Sequence, residues 1–83
     1  MIEISLCMIV KNEEKILTRC LDSVADLVDE IVIVDTGSTD ATKKIAANYT
    51  DKIYDFTWVD DFSAARNFAF SKAEKDYIYT ADA

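Results

Sequence analysis

The fold of this chain is decided by the stretch IVIVDTGSTDAT, residues 31–42. The run of β-branched residues that opens it predicts a strand covered on both faces, which is typical of a parallel sheet between layers of helices. The run ends at Asp35, and the glycine and helix-capping residues that follow predict a turn and then a helix. Because ligands of such sheets bind beyond the carboxyl ends of the strands, Asp35 is predicted to be a functional residue.

The composition is that of one globular domain. The chain has 83 residues, 51% of them hydrophobic and 30% charged, and these fractions exclude a disordered or fibrous protein. We therefore expect residues 1–83 to form a single domain. The formal net charge of -7 argues against nucleic acid as a partner, since no segment gathers Lys and Arg. No apolar run is long enough for a membrane span and no signal peptide precedes the first strand, so we expect a cytoplasmic protein.

Few residue types are available for chemistry. The chain contains no His and two Cys. Cys7 and Cys20 are too few for a disulfide scaffold or a zinc site, and we expect free, buried thiols. Without His, catalysis would have to use carboxylates, a metal ion or residues outside this chain. A divalent cation would also allow this acidic chain to hold an anionic ligand.

Strand and helix patterns alternate along the chain. We predict strands at residues 4–10, 30–34, 52–56 and 77–81. Apolar residues at helical spacing predict a first helix from Asn12 as N-cap to about Leu27, a second from residue 39 or 40 to 48, and a third from Ser63 as cap to about Lys75. The order β-α-β-α-β-α-β predicts an α/β fold with a Rossmann-like doubly wound parallel sheet of strand order 3-2-1-4.

Three strand ends carry polar residues that this order brings to one rim. Lys11, Asn12 and Glu13 follow the first strand, Asp35 follows the second, and Asp82 follows the fourth. The carboxyl ends of parallel strands lie at the same edge, so these residues predict one ligand site. Taken alone, Asn12 and Glu13 could equally be helix-capping residues.

The chain contains a single glycine. Dinucleotide sites and P-loops need several glycines so that backbone amides can approach a phosphate, and neither motif is present. Gly37 is therefore expected to serve the turn by taking a positive φ. Asp35 would repel a bare phosphate, but it suits a hydrogen bond from a ribose hydroxyl or from the imide N–H of a base. We interpret Asp35 as a nucleoside contact.

Four segments together resemble a known family: SLCMIVKNEE at 5–14, IVIVDTGSTDAT at 31–42, DDFSAARNFAF at 60–70 and YIYTADA at 77–83. They are similar to the amino-terminal, nucleotide-binding half of family 2 glycosyltransferases of the GT-A fold. The resemblance implies a partial GT-A fold and transfer of a sugar from a nucleotide diphosphate sugar, UDP-linked in the family, to an acceptor. Thr36 stands where many relatives carry an acid that reads the base.

The resemblance also implies roles for matching residues. Lys11, Asn12 and Glu13 resemble the rim of the first strand that packs on the nucleoside, and Asp35 resembles its polar contact. Arg66 resembles the helix residue that faces the nucleotide. The alternative for Arg66 is a salt bridge to Asp60 or Asp61.

Asp82 resembles the first acid of the Asp-x-Asp motif, which holds Mn²⁺ or Mg²⁺ against the donor diphosphate. A hard divalent cation takes oxygen ligands and stabilises the leaving group. The second acid of the motif would follow Ala83, and no catalytic base is assigned within this chain. We therefore expect a fragment of a longer enzyme that has no transferase activity by itself.

Other functions fit less well or belong to another class. A sugar-nucleotide pyrophosphorylase needs a glycine-rich basic loop after the first strand, and a response-regulator receiver needs a lysine-bearing strand that is missing. From a different class, the chain could be a non-catalytic interaction module. Such a module would form homo-oligomers through the open edge that the last strand leaves.

Overall fold

The strands form one parallel sheet in the predicted order. The computed structural model describes residues 2–57 and 61–82, without the side chains of residues 62, 81 and 82. The strands are β1 (Ile4–Val10), β2 (Glu30–Asp35), β3 (Ile53–Asp55) and β4 (Tyr77–Asp82). They lie in the order β3-β2-β1-β4, and every neighbouring pair is parallel. The predicted doubly wound sheet is confirmed.

Helices cover both faces of this sheet. α1 (Leu17–Val24), which continues into a short 3-10 turn at Ala25–Leu27, and α2 (Thr42–Ala46) pack on one face, and α3 (Phe62–Lys72) packs on the other. The central strands β1 and β2 are therefore buried from both sides, which is why their sequences are nearly continuous apolar runs. Among the described residues, no helix is both long and apolar enough to cross a membrane.

Two predicted helix caps are wrong. α1 begins at Leu17 rather than after Asn12, and Asn12 has a φ of 52°, whereas an N-cap residue normally lies in the β region. The cap of α3 is Asp61 rather than Ser63, because the Asp61 carboxylate accepts a hydrogen bond from the backbone N–H of Ala64 at 3.2 Å.

The other element ends shift by a few residues. α1 ends at Val24 instead of reaching Leu27, α2 covers only Thr42–Ala46, and α3 ends at Lys72 instead of Lys75. β2 and β4 each extend one residue further, to Asp35 and Asp82, and β3 is shorter than predicted. Both of these strands are longer than predicted at their carboxyl ends, where the polar residues cluster.

A buried carboxylate links several segments at the amino-terminal ends of the strands, opposite the rim where the polar residues cluster. Glu30, the first residue of β2, is 6% exposed. Its carboxylate accepts hydrogen bonds from the Ser5 hydroxyl at 2.6 Å and the backbone N–H of Glu74 at 2.9 Å, and it pairs with the Lys52 ammonium. The Ser5 hydroxyl accepts in turn from the backbone N–H of Lys75 at 3.1 Å. Glu30 thus connects β1, β2, the start of β3 and the segment that leads into β4.

We predict that Glu30→Gln lowers the free energy of unfolding by about 2 kcal/mol, because the Lys52 ammonium loses its buried counter-charge. Urea denaturation at pH 7 measures this change. Glu74→Gln is the matched control, since the Glu74 carboxylate is exposed and lies 3.7 Å from the same ammonium. An equal loss of unfolding free energy in Glu30→Gln and Glu74→Gln would contradict the stabilising role assigned to the buried Glu30 carboxylate.

Glu30→Gln should also change how the free energy of unfolding depends on pH in the acid range. Burial by itself raises the pKa of the Glu30 carboxyl, but the bonds from Lys52, Ser5 and the Glu74 amide, with the Lys52 charge, lower it from 4.5 to about 2. The stabilisation by Glu30 is therefore complete above the ordinary value and is lost as the pH falls from 4.5 toward 2. In that window the difference in stability between wild type and Glu30→Gln should shrink.

The two cysteines are free and differ in burial. Cys7 in β1 is 3% exposed, whereas Cys20 in α1 is half-buried, so the prediction of a buried thiol is confirmed for Cys7 and only in part for Cys20. Burial, with a smaller contribution from the negative charge of Glu30, raises the pKa of the Cys7 thiol from 9.0 to about 11.

We expect iodoacetamide at pH 8 to alkylate Cys20 and to leave Cys7 unmodified in the folded protein, because the thiolate is the reactive form. Mass spectrometry of the two cysteine-containing peptides reads out each site. Alkylation in denaturant is the control, and both cysteines should react there. Modification of Cys7 at the rate of Cys20 in the folded protein would show that burial does not protect it.

Candidate functional site

Asp35 lies at the end of β2 and is 1% exposed. Its Oδ1 accepts hydrogen bonds from the backbone N–H groups of Gly37 at 2.8 Å and Ser38 at 2.7 Å. Gly37 has a φ of +114°, which confirms the predicted need for glycine in this turn. Oδ2 is buried and has no hydrogen-bond partner among the described residues. A buried carboxylate oxygen is costly unless a donor reaches it, so this atom is the natural contact for a ligand.

A cleft of about 280 Å³ opens beside Asp35, near the lower end of the roughly 300–1,000 Å³ of small-molecule sites. Its lining combines two carboxylates, a hydroxyl pair and an aromatic ring: Asp35, Thr36, Gly37, Asp55, Phe56 and Thr57. Asp55 ends β3 and is the register partner of Asp35. Lys43 of α2 lies 2.8 Å from Asp55 Oδ1, and this hydrogen bond, the Asp55 charge and the Asp35 charge raise the pKa of Lys43.

Hydrogen bonds in both directions join the loop after β1 to the loop after β2. The backbone N–H of Asn12 donates to the Ser38 hydroxyl at 2.9 Å, and the Asn12 amide oxygen accepts from the backbone N–H of Thr39 at 2.8 Å. The backbone N–H of Glu13 donates to the hydroxyl of Thr42 at 2.8 Å. Asn12 and Glu13 therefore lie against the loop that carries the Asp35 turn.

The helix that follows this loop is held in the same way. The Thr42 side chain is fully buried, and its hydroxyl donates to the Asp40 carboxylate. The Glu14 carboxylate accepts from the backbone N–H of Ala41 at 3.2 Å. The start of α2 is thus fixed by side chains of both loops.

Thr36 faces the first strand. Its backbone N–H and its hydroxyl both donate to the carbonyl oxygen of Val10, at 3.0 and 3.2 Å, and the residue is 7% exposed. Thr36 therefore links the end of β2 to the end of β1.

The remaining predicted residues are more scattered. Lys11 is exposed beside Asn12, and Arg66 is exposed on α3, the helix that begins on the rim side of the sheet. The backbone of Asp82 pairs with Ile9 at the end of β4, but its side chain, predicted to bind a metal ion, lies outside the described residues, as does Asp60. Within residues 2–57 and 61–82, no group of three or more acidic, cysteine or histidine side chains is placed to hold a metal ion.

Sequence reasoning missed several residues of this site. Asp55 ends a strand at the same edge as Asp35, so the rule that singled out Asp35 would have found it. Lys43 and Phe56 gave no comparable signal, because their position depends on how α2 and β3 sit beside the rim.

Comparison with known sequences places the chain in a family. The sequence model of glycosyl transferase family 2 matches residues 5–83. A TPR repeat-containing protein of Synechococcus elongatus is 51% identical over 83 residues, which are 100% of this chain and 21% of that protein. The SPbeta prophage-derived glycosyltransferase SunS of Bacillus subtilis is 41% identical over 78 residues, 92% of this chain and 18% of SunS. The chain thus spans about a fifth of the length of these curated relatives.

Solved structures show the same fold. Glucosyl-3-phosphoglycerate synthase from Mycobacterium tuberculosis, in complex with Mg²⁺ and uridine-diphosphate, superposes with a TM-score of 0.82 at 23% identity, over 98% of this chain and 33% of that chain. Its complex with Mn²⁺ and uridine-diphosphate-glucose gives a TM-score of 0.81 at 23% identity. The sheet is the Rossmann-like part of a GT-A fold, as predicted. Because the family's sequence model matches nearly the whole chain, the chain belongs to glycosyl transferase family 2.

Proposed function

We propose that this chain binds the nucleotide of a nucleotide diphosphate sugar, UDP-linked, and so forms the donor side of a sugar transferase. The observation that carries the proposal is the buried Asp35 carboxylate, whose Oδ2 has no partner among the described residues and which lines a cleft at the strand ends. Parallel sheets bind their ligands at this edge. We propose Lys11, Glu13 and Arg66 as further nucleotide contacts, and Asn12 as part of the same site.

The geometry at Asp35 suits the base of uridine. Two backbone N–H groups hold Oδ1 and so fix the plane of the carboxylate. The free Oδ2 can accept a hydrogen bond from the imide N–H of uracil. Cytosine presents an acceptor nitrogen at the same place, which Oδ2 would repel. A site that pairs a buried acceptor with a ligand donor discriminates strongly against a ligand without that donor.

A divalent cation is part of the proposal, supported by the Mg²⁺ and Mn²⁺ named in the complexes of the Mycobacterium enzyme. We propose Asp82 as one ligand, since its backbone ends β4 at the same rim as Asp35. Such a cation would neutralise the diphosphate and stabilise the leaving group. The described side chains do not form a complete ligand set.

Asp35→Asn tests the base contact. The variant keeps an acceptor for the two loop amides but places a donor where Oδ2 now lies. We expect UDP binding in the presence of Mn²⁺ to weaken by about tenfold and the preference for UDP over CDP to fall, as measured by calorimetric titration.

Asp51→Asn is the matched control, because Asp51 is exposed and lines a cavity at the opposite edge of the sheet. It should bind UDP like the wild type. Unchanged UDP affinity in Asp35→Asn, or no heat from the wild type at millimolar UDP, would disprove the nucleotide contact.

A second candidate function is self-association through β4. β4 lies at an edge of the described sheet, and Tyr77, Ile78 and Tyr79 are 59%, 43% and 53% exposed. Tyr77 and Tyr79 flank an apolar groove of about 380 Å³ against Leu27, which is itself 71% exposed. We propose a second copy as the occupant. Antiparallel pairing centred on Ile78 sets that residue against itself and Tyr77 against Tyr79, with no charged pair between them.

Sedimentation velocity over a range of protein concentrations tests this pairing. We expect a dimer that Tyr79→Lys disrupts, because each lysine would replace the apolar ring of a Tyr77–Tyr79 pair with a charge at the edge strand. Asn48→Lys adds the same charge at an exposed position of the turn after α2 and should leave the dimer intact. A monomer at every concentration in the wild type would exclude the second function.

A further inference from the structure

We infer that Asn12 is a positioning residue, which acts on the ligand through Asp35 rather than by touching it. The inference rests on the proposed function, and it changes the role that the family resemblance gives Asn12. Asn12 does not line the cleft beside Asp35. Its bonds go to Ser38 and Thr39, which follow the cleft-lining Gly37 in the loop.

The backbone conformation of Asn12 directs two of its groups toward this loop. Its φ of 52° is the one positive φ of a non-glycine residue in the described ranges. Asn and Asp accept this region more readily than other residues with a side chain. In this conformation the N–H of Asn12 reaches the Ser38 hydroxyl and its amide oxygen reaches the N–H of Thr39. One residue thus holds two consecutive residues of the loop.

Ser38 links Asn12 to Asp35. Its hydroxyl accepts from Asn12 at 2.9 Å, while its backbone N–H donates to Asp35 Oδ1 at 2.7 Å. Movement of Ser38 would therefore weaken one of the two bonds that hold Asp35 Oδ1 and so loosen the carboxylate. The loop has further ties at Thr36 and Thr42, but these lie on either side of the segment that bonds to Asp35.

Three substitutions separate conformation from hydrogen bonding. Asn12→Ala loses the acceptor and disfavours the positive φ, and we expect UDP affinity to fall by about fivefold. Asn12→Gly keeps the conformation but lacks the acceptor, so its UDP affinity should fall less than that of Asn12→Ala. Asn12→Asp keeps both properties and should restore affinity to near that of the wild type.

A double-mutant cycle tests whether the effect passes through Asp35. In an Asp35→Asn background, Asn12→Ala should cause little further loss of UDP affinity, since the contact that it positions is already gone. The same fractional loss in both backgrounds would show that Asn12 contacts the ligand directly or acts elsewhere, and would overturn the inference. Wild-type affinity in Asn12→Ala would overturn it as well.

Amide hydrogen exchange of the ligand-free protein provides a readout that does not depend on binding. Asn12→Ala should raise the exchange rates of the Gly37 and Ser38 amides several-fold and leave those of Val32 and Val34 unchanged. Unchanged rates at Gly37 and Ser38 would refute the positioning role even if UDP binds. If the wild type does not bind UDP, the proposed function fails, and faster exchange would then show only that Asn12 holds the loop.

Discussion

Burial of β2 on both faces is the constraint on which the rest of the structure depends. All six of its residues are buried, including the carboxylates at its two ends. Glu30 at the start is fully paired, with a lysine, a hydroxyl and a backbone amide. Asp35 at the end is paired on one oxygen only among the described residues. An unpaired buried acceptor works against stability, so its presence at the ligand-binding edge of a parallel sheet marks the end at which function is expected.

The rim is built before any ligand arrives. Thr36 ties β2 to Val10, and Asn12 and Glu13 hold the next residues of the loop from the side of β1. Each such bond contributes on the order of 1 kcal/mol, but together they fix one geometry for the Asp35 carboxylate. Because the acceptor is preformed, a ligand would bind without the entropy cost of ordering the loop, which favours higher affinity.

The strand order and the position of Asp35 at the end of β2 could be predicted, because a continuous apolar run and its end are local features. The sequence predicts Asn12 as an N-cap because asparagine favours both N-caps and positive φ, and only its bonds to the loop 26 and 27 residues away decide between the two. Asp61 and Ser63 lie two residues apart and both are favourable N-cap residues, so the sequence alone does not decide which of them caps α3. The hydrogen bond between Ser5 and Glu30 could not be predicted from the sequence, because it depends on the register of β1 against β2.

On the proposed function, the acidity of the chain limits how it can recognise a nucleotide sugar. With a net charge of -7 it repels a bare diphosphate. Of the two carboxylates in the cleft, Asp55 is exposed and paired with Lys43. We propose that Asp35 accepts a hydrogen bond from the uncharged base. The diphosphate then needs its own compensation, from a cation near the end of β4 or from Arg66. On the proposed function, base and diphosphate are therefore recognised by different strand ends, and the order 3-2-1-4 sets these ends on either side of β1.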